Sequence, residues 1–148
     1  MTMVSLPHPI MDYPHRSPLK VAEVLQDMIR DKVVCDVGCA CGDLMFEFSK
    51  YCKRVVGIEK DPVRAGITRK RGLELVDHLP DADIYYLWIG LDSWDFLELF
   101  RDKKGKLILA EEDISPELGG YQIVFPIDDV SKIPNNDRTV WHLQVLEL

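Results

Sequence analysis

The segment Lys32-Val33-Val34-Cys35-Asp36-Val37-Gly38 limits what this 148-residue chain can fold into more than any other. Its apolar residues run on without polar alternation, the pattern of a strand buried on both faces of a parallel sheet. Arg54-Val55-Val56-Gly57-Ile58-Glu59 repeats it. Between the two lie a bend of small residues, Cys39-Ala40-Cys41-Gly42, and a short helical spacing of Leu44, Phe46, Phe48 and Tyr51. Strand, bend, helix and second buried strand make a βαβ unit, the building block of a parallel sheet covered on both faces.

The rest of the chain extends this unit in both directions. Residues 1–16 carry Pro7, Pro9 and Pro14, too many for a helix, and read as an extended arm. Ser17 is placed as N-cap and Pro18 as the first residue of a helix running to about Arg30. Its Leu19, Ala22, Leu25, Met28 and Ile29, joined by Val21 and Val24, form one apolar face. Asp61 caps a further helix, with Pro62 in its first turn. Leu73-Glu74-Leu75-Val76 reads either as a short third strand or as the tail of that helix. Asp83 to Ile89 predicts a fourth strand, Ser93 to Arg101 a helix and Lys106 to Ala110 a fifth strand. Tyr121 to Phe125 and Thr139 to Leu146 predict two closing strands with only a polar loop between them, so they must pair as a hairpin. The expected architecture is a single α/β domain over residues 17–148. It is a doubly wound, mostly parallel seven-stranded sheet with helices on both faces, closed by a C-terminal antiparallel hairpin.

A net charge of −7 argues against non-specific nucleic-acid binding by the molecule as a whole, since such binding rests on neutralising phosphates. One segment runs the other way: Lys53, Arg54, Lys60, Arg64, Arg69, Lys70 and Arg71 face only Glu59 and Asp61. That segment is either a solvated helix face or a patch turned toward RNA or a partner protein. No apolar run approaches a membrane span, and the N-terminus lacks the regions of a signal peptide. A cytoplasmic setting with reduced thiols is therefore expected. Cys35, Cys39, Cys41 and Cys52 are close in sequence but lack the pair spacing of zinc sites, so no metal is expected.

In open α/β sheets, ligands bind at the carboxyl ends of the strands where the strand order reverses. That places Asp36, Gly38, Cys39, Ala40, Cys41 and Gly42 in the site, with Glu59 ending the neighbouring strand. Small residues let the backbone approach a ligand, and the helix N-terminus that follows favours an anionic group. Glu59 is placed to accept two hydrogen bonds from ribose hydroxyls.

Asp36-Val37-Gly38-Cys39-Ala40-Cys41-Gly42 resembles the first motif of class I S-adenosylmethionine-dependent methyltransferases, D-x-G-x-G-x-G. Val55 to Pro62 resembles the family's next segment, whose acidic residue holds the cofactor ribose. Asp77, before Leu79-Pro80, resembles the position that contacts the adenine amino group in many members. The resemblance implies S-adenosylmethionine bound by Asp36, Gly38, Cys39, Ala40, Gly42, Glu59, Lys60 and Asp77. It also implies methyl transfer to an acceptor that the sequence does not identify. The NAD fingerprint G-x-G-x-x-G fits poorly, because Gly38, Ala40 and Asp43 occupy its places.

Two departures stand out. Ala40 replaces the family's second glycine. After the fourth strand the chain reads Trp88-Ile89-Gly90-Leu91-Asp92-Ser93-Trp94, without the Asn/Asp-Pro-Pro-Tyr signature of amino-group methylation. No catalytic residue is therefore assigned, and the alternative is a non-catalytic S-adenosylmethionine-binding or scaffold subunit that regulates a partner. Tyr13, His15 and Arg16 on the arm are candidate lid residues, Asp92 and His78 candidate acid–base groups, and Trp88 and Trp94 candidate stacking residues. His142 reads as structural.

Overall fold

The computed structural model describes residues 18–88, 98–110, 113–126 and 140–148. Helix α1 (Pro18–Ile29) leads into strand β1 (Val33–Val37), and its Val21, Ala22, Leu25 and Ile29 have no solvent exposure. Helix α2 (Asp43–Phe48), strand β2 (Arg54–Ile58) and helix α3 (Pro62–Lys70) follow. Asp61 caps α3 as its sequence position predicts, its carboxylate accepting from the Arg64 amide at 2.9 Å. Strands β3 (Glu74–Leu75), β4 (Ile84–Leu87) and β5 (Lys106–Ala110) precede a one-turn 3-10 helix at Pro116–Leu118. Strands β6 (Tyr121–Pro126) and β7 (Val140–Glu147) complete the sheet. The arm of residues 1–16, and Ser17, lie outside the described residues, as does most of the helix expected over Ser93–Arg101.

The strands form one mixed sheet in the order β3-β2-β1-β4-β5-β7-β6. Pairing is parallel from β3 through β5, while β7 runs antiparallel between β5 and β6. The segment around Leu73–Val76 is thus a strand, though only two residues of it pair. The closing strands form the expected hairpin, and its second strand is the one inserted against β5.

Strand alternation divides the core into two layers. Adjacent Tyr85 and Tyr86 are both fully buried but enter opposite layers. Tyr86 meets Phe48 edge-on at 5.7 Å, beneath α1 and α2, and Tyr85 meets Phe100 at 5.1 Å on the other face. Among the described residues this second face is covered by Phe100, by Val76, Leu79 and Ala82 from the β3–β4 connection, and by Ile114 and Leu118. Two buried polar side chains fasten these coverings. The Tyr85 hydroxyl donates to the Pro80 carbonyl at 2.8 Å and accepts from the Ala82 amide at 2.9 Å. The Gln144 side chain accepts from the Ser115 amide at 2.8 Å and donates to the Ser115 and Gly119 carbonyls. No helix among the described residues is long and apolar enough to cross a membrane.

Candidate functional site

The β1–β2 register sets Asp36 opposite Gly57, with Tyr86 of β4 on its other side. Both strands therefore end at one level, and the bend beyond β1 lies beside Glu59. The backbone of that bend is nearly all engaged. Gly38 and Cys39 donate to the Ile58 carbonyl at 2.9 and 3.0 Å, and Gly42 donates to Cys39 at 3.0 Å. The Ala40 amide donates to Glu59 Oε1 at 2.7 Å, while Glu59 Oε2 accepts from the Asp61 amide at 3.0 Å. Of the bend's amides only that of Cys41 has no acceptor among the described residues. A carboxylate offers about four lone-pair sites, so two remain on Glu59 after these bonds.

Helix α3 holds the same bend from the other side. Thr68 Oγ1 donates to the Ala40 carbonyl at 2.7 Å. Arg71 Nη1 donates to the Cys41 carbonyl at 2.9 Å and to Asp43 Oδ1 at 2.6 Å. Because the peptide is planar and trans, the Cys41 N–H points away from the carbonyl that Thr68 holds. This corrects the reading of the basic segment. Arg71 is 4% exposed and paired with a fully buried Asp43, not part of a solvated face. Its guanidinium also lies 5.5 Å from the Phe46 ring. Arg54 is engaged too, with Glu74 on the neighbouring strand. Lys53, Lys60, Arg64, Arg69 and Lys70 remain exposed. The helix N-terminus is corrected as well: α2 has six residues and places its own Asp43 carboxylate in the first turn. Its dipole is therefore already answered within the chain.

Ala40 adopts a φ of 54°, the left-handed conformation that glycine takes freely. For alanine this costs about 1 kcal/mol or somewhat more. Gly57 matters for closeness instead: a Cβ there would lie 2.4 Å from Met45 Sδ and 2.8 Å from Cys39 Sγ. Cys39 thus turns its side chain into the core beneath β2, and only its backbone borders the site. Burial, then the nearby Asp36 and Glu59 charges, push its thiol well above the ordinary range. Burial likewise pushes Cys35 up to about 12 and raises Cys41 and Cys52. Cys35 sits in the layer opposite Cys39 and Cys52. Among the described residues, no three metal-ligating side chains cluster.

The structure therefore gathers Asp36, Gly38, Cys39, Ala40, Gly42 and Glu59, while Lys60 and Asp77 stand outside on the surface. Asp77 bonds to His78 Nδ1 at 2.7 Å, and both side chains are largely in solvent. That bond holds the Asp77 carboxyl below the usual carboxylate range. His142 lies on β7 at 3.3 Å from Gln122. Trp88 packs partly buried against the first layer, whereas Asp92, Trp94 and the arm residues Tyr13, His15 and Arg16 lie outside the described residues. Sequence reasoning missed Thr68 and Arg71. Their only signal was helical spacing, three apart at the end of α3, which places both on one face.

A mixed seven-stranded sheet in this strand order, whose last strand returns antiparallel between the fifth and sixth, defines the class I S-adenosylmethionine-dependent methyltransferase fold, and this chain has that fold. Solved structures agree. The C-terminal domain of precorrin-6Y C5,15-methyltransferase from Rhodobacter capsulatus superposes with a TM-score of 0.63 at 14% identity, covering 96% of this chain and 92% of that one. The S-adenosylmethionine-bound amino pentose methyltransferase CalS10 from Micromonospora echinaspora gives a TM-score of 0.55 at 21% identity, over 77% of this chain and 59% of its own. Among curated proteins, a tRNA U34 carboxymethyltransferase of Aliarcobacter butzleri (strain RM4018) is 33% identical over 69 residues. That stretch is 46% of this chain but only 21% of the relative's length. No protein-family model matches the chain.

Proposed function

We propose that the protein binds S-adenosylmethionine against the bend of residues 38–42 and transfers its methyl group to an acceptor. The observation that carries this reading is Glu59. Its carboxylate faces the bend, is fixed by the Ala40 and Asp61 amides, and keeps two acceptor sites for a vicinal diol. The Cys41 amide supplies a donor for the ligand's carboxylate. When bound, S-adenosylmethionine supplies an electrophilic methyl group on a sulfonium. The chain's part is to hold that ligand in one orientation and keep water from it, which methyl transfer needs more than covalent help.

Titration calorimetry of the full chain with S-adenosylmethionine tests the reading. Saturable heat in the wild type and its loss in Glu59→Ala are expected. No heat and no thermal shift at millimolar ligand would overturn it, as would a Glu59→Ala variant that binds like wild type.

The sequence Trp88-Ile89-Gly90-Leu91-Asp92 favours a second reading, because it lacks the amino-methylation signature. In that reading the chain is a non-catalytic S-adenosylmethionine-binding subunit that regulates a partner. Assays across RNA, protein and small-molecule acceptors separate the two, since binding without turnover on any of them supports the subunit. RNA is the first acceptor to test, given the similarity to a protein named for tRNA U34 and the exposed Lys53, Lys60, Arg64, Arg69 and Lys70. We place the protein in the cytoplasm, with residues 17–148 as one domain. We propose also that its sheet is mostly parallel and carries helices on both faces.

A further inference from the structure

Ala40 is the residue at which this bend departs from the glycine-rich pattern, and it is also the residue most heavily restrained. Its amide is held by Glu59 and its carbonyl by the fully buried Thr68. The next carbonyl, of Cys41, is held by Arg71, itself fixed by Asp43. A glycine would populate φ near +54° unaided, but an alanine returns to negative φ unless something prevents it. Both peptide groups that follow the Ala40 Cα are gripped through their carbonyls by the last turn of α3. A change in φ at Ala40 would swing the Cys41 amide away from its present direction. Gly42, next but one, also has positive φ and fits closely against Thr68, where a Cβ would lie 3.1 Å from its methyl.

We propose that Thr68, seconded by Arg71, is a positioning residue that substitutes for the missing glycine: it holds Ala40 left-handed so that the Cys41 amide stays aimed at the ligand. The inference rests on the S-adenosylmethionine reading for its ligand, but the conformational claim can be read without one. Thr68→Val keeps the side-chain shape and removes the hydroxyl, and Thr68→Ser keeps the hydroxyl. Cys41 reports on the bend and Cys35, in the centre of β1, on global opening, because both are buried thiols that alkylate only on exposure.

The experiment combines calorimetry with S-adenosylmethionine and site-resolved alkylation by iodoacetamide, followed by mass spectrometry, on the full chain. Thr68→Val should weaken S-adenosylmethionine about tenfold and speed Cys41 alkylation to a similar degree, with Cys35 unchanged. Thr68→Ser should behave like wild type. In the Ala40→Gly background, Thr68→Val should change neither quantity by more than about threefold, because the strain it relieves is gone. Equal losses in both backgrounds would overturn the proposal, as would Cys35 and Cys41 accelerating together or no change at Cys41. If the wild type itself gives no heat with S-adenosylmethionine, the proposed function falls. The alkylation pattern then decides the clamp alone.

Discussion

The bend after β1 and the turn after β3 occupy matching places, at the carboxyl ends of strands that flank β2, and they are built in opposite ways. In the bend, Cys39, Ala40, Cys41 and Gly42 are buried, and side chains from two other elements hold its peptide groups. In the turn, Asp77 and His78 stand in solvent and bond to each other. A region restrained before its ligand arrives loses little conformational freedom on binding, whereas one ordered by the ligand must lose it then. On the proposed reading, the nucleoside site is half preformed: its ribose end stands ready, and its adenine end would have to be recruited.

The largest expected effect tests whether the bend is restrained as described. Asp43→Ala leaves the Arg71 guanidinium buried without its carboxylate. It should destabilise the protein by about 3–5 kcal/mol, read from chemical denaturation. Asp77→Ala is the matched control and should leave the denaturation midpoint essentially where wild type has it. Comparable effects for the two would erase the contrast. Next in size is Gly57→Ala, whose methyl would be driven into Met45 and Cys39 beneath the bend. Overpacking there should cost about 1–3 kcal/mol in the same measurement. A neutral outcome would mean that the packing under the bend yields easily.

How much of this was legible in the sequence follows the same division. Contiguous apolar runs mark β1 and β2 because strands buried on both faces leave no polar alternation, and the bend lies between them. The hairpin was legible because the sequence between its two strands reads as a polar loop rather than a crossover helix. The cover of the second face was less so. Val76, Leu79 and Ala82 come from a connection with no periodicity, and its anchor is the hydroxyl of a strand tyrosine. Arg71 was misread for a related reason. A charge at the end of a basic helix looks solvated until the fold brings Asp43, far back in the chain, against it. Long-range pairs of buried charges leave no local pattern.

A smaller effect probes the turn itself. If Asp77 accepts the adenine amino group, Asp77→Ala removes one hydrogen bond, whereas Asn would keep an acceptor oxygen. S-adenosylmethionine affinity should then fall about two- to tenfold in calorimetry, with the unfolding midpoint unmoved. An unchanged affinity would leave the adenine end without this residue and make the contrast with the bend absolute.

The smallest effect lies at the edge strand that carries this turn. Arg54 Nε donates to Glu74 Oε1 at 3.0 Å, joining β2 to the two-residue β3. That hydrogen bond holds the Glu74 carboxyl below its ordinary value of 4.5. A carboxyl depressed in the folded state stabilises it fully above the unfolded value, and the contribution disappears as pH falls through the folded one. Both side chains are about half exposed, so solvent screening keeps the pair's contribution small. Thermal unfolding of wild type and Glu74→Gln should therefore differ slightly at pH 7 and converge as the pH drops below 4.5. A gap that persists in acid would assign β3 to packing by Leu73 and Leu75 rather than to this ion pair. The turn would then hang from an apolar edge, as firmly placed as the bend it was contrasted with.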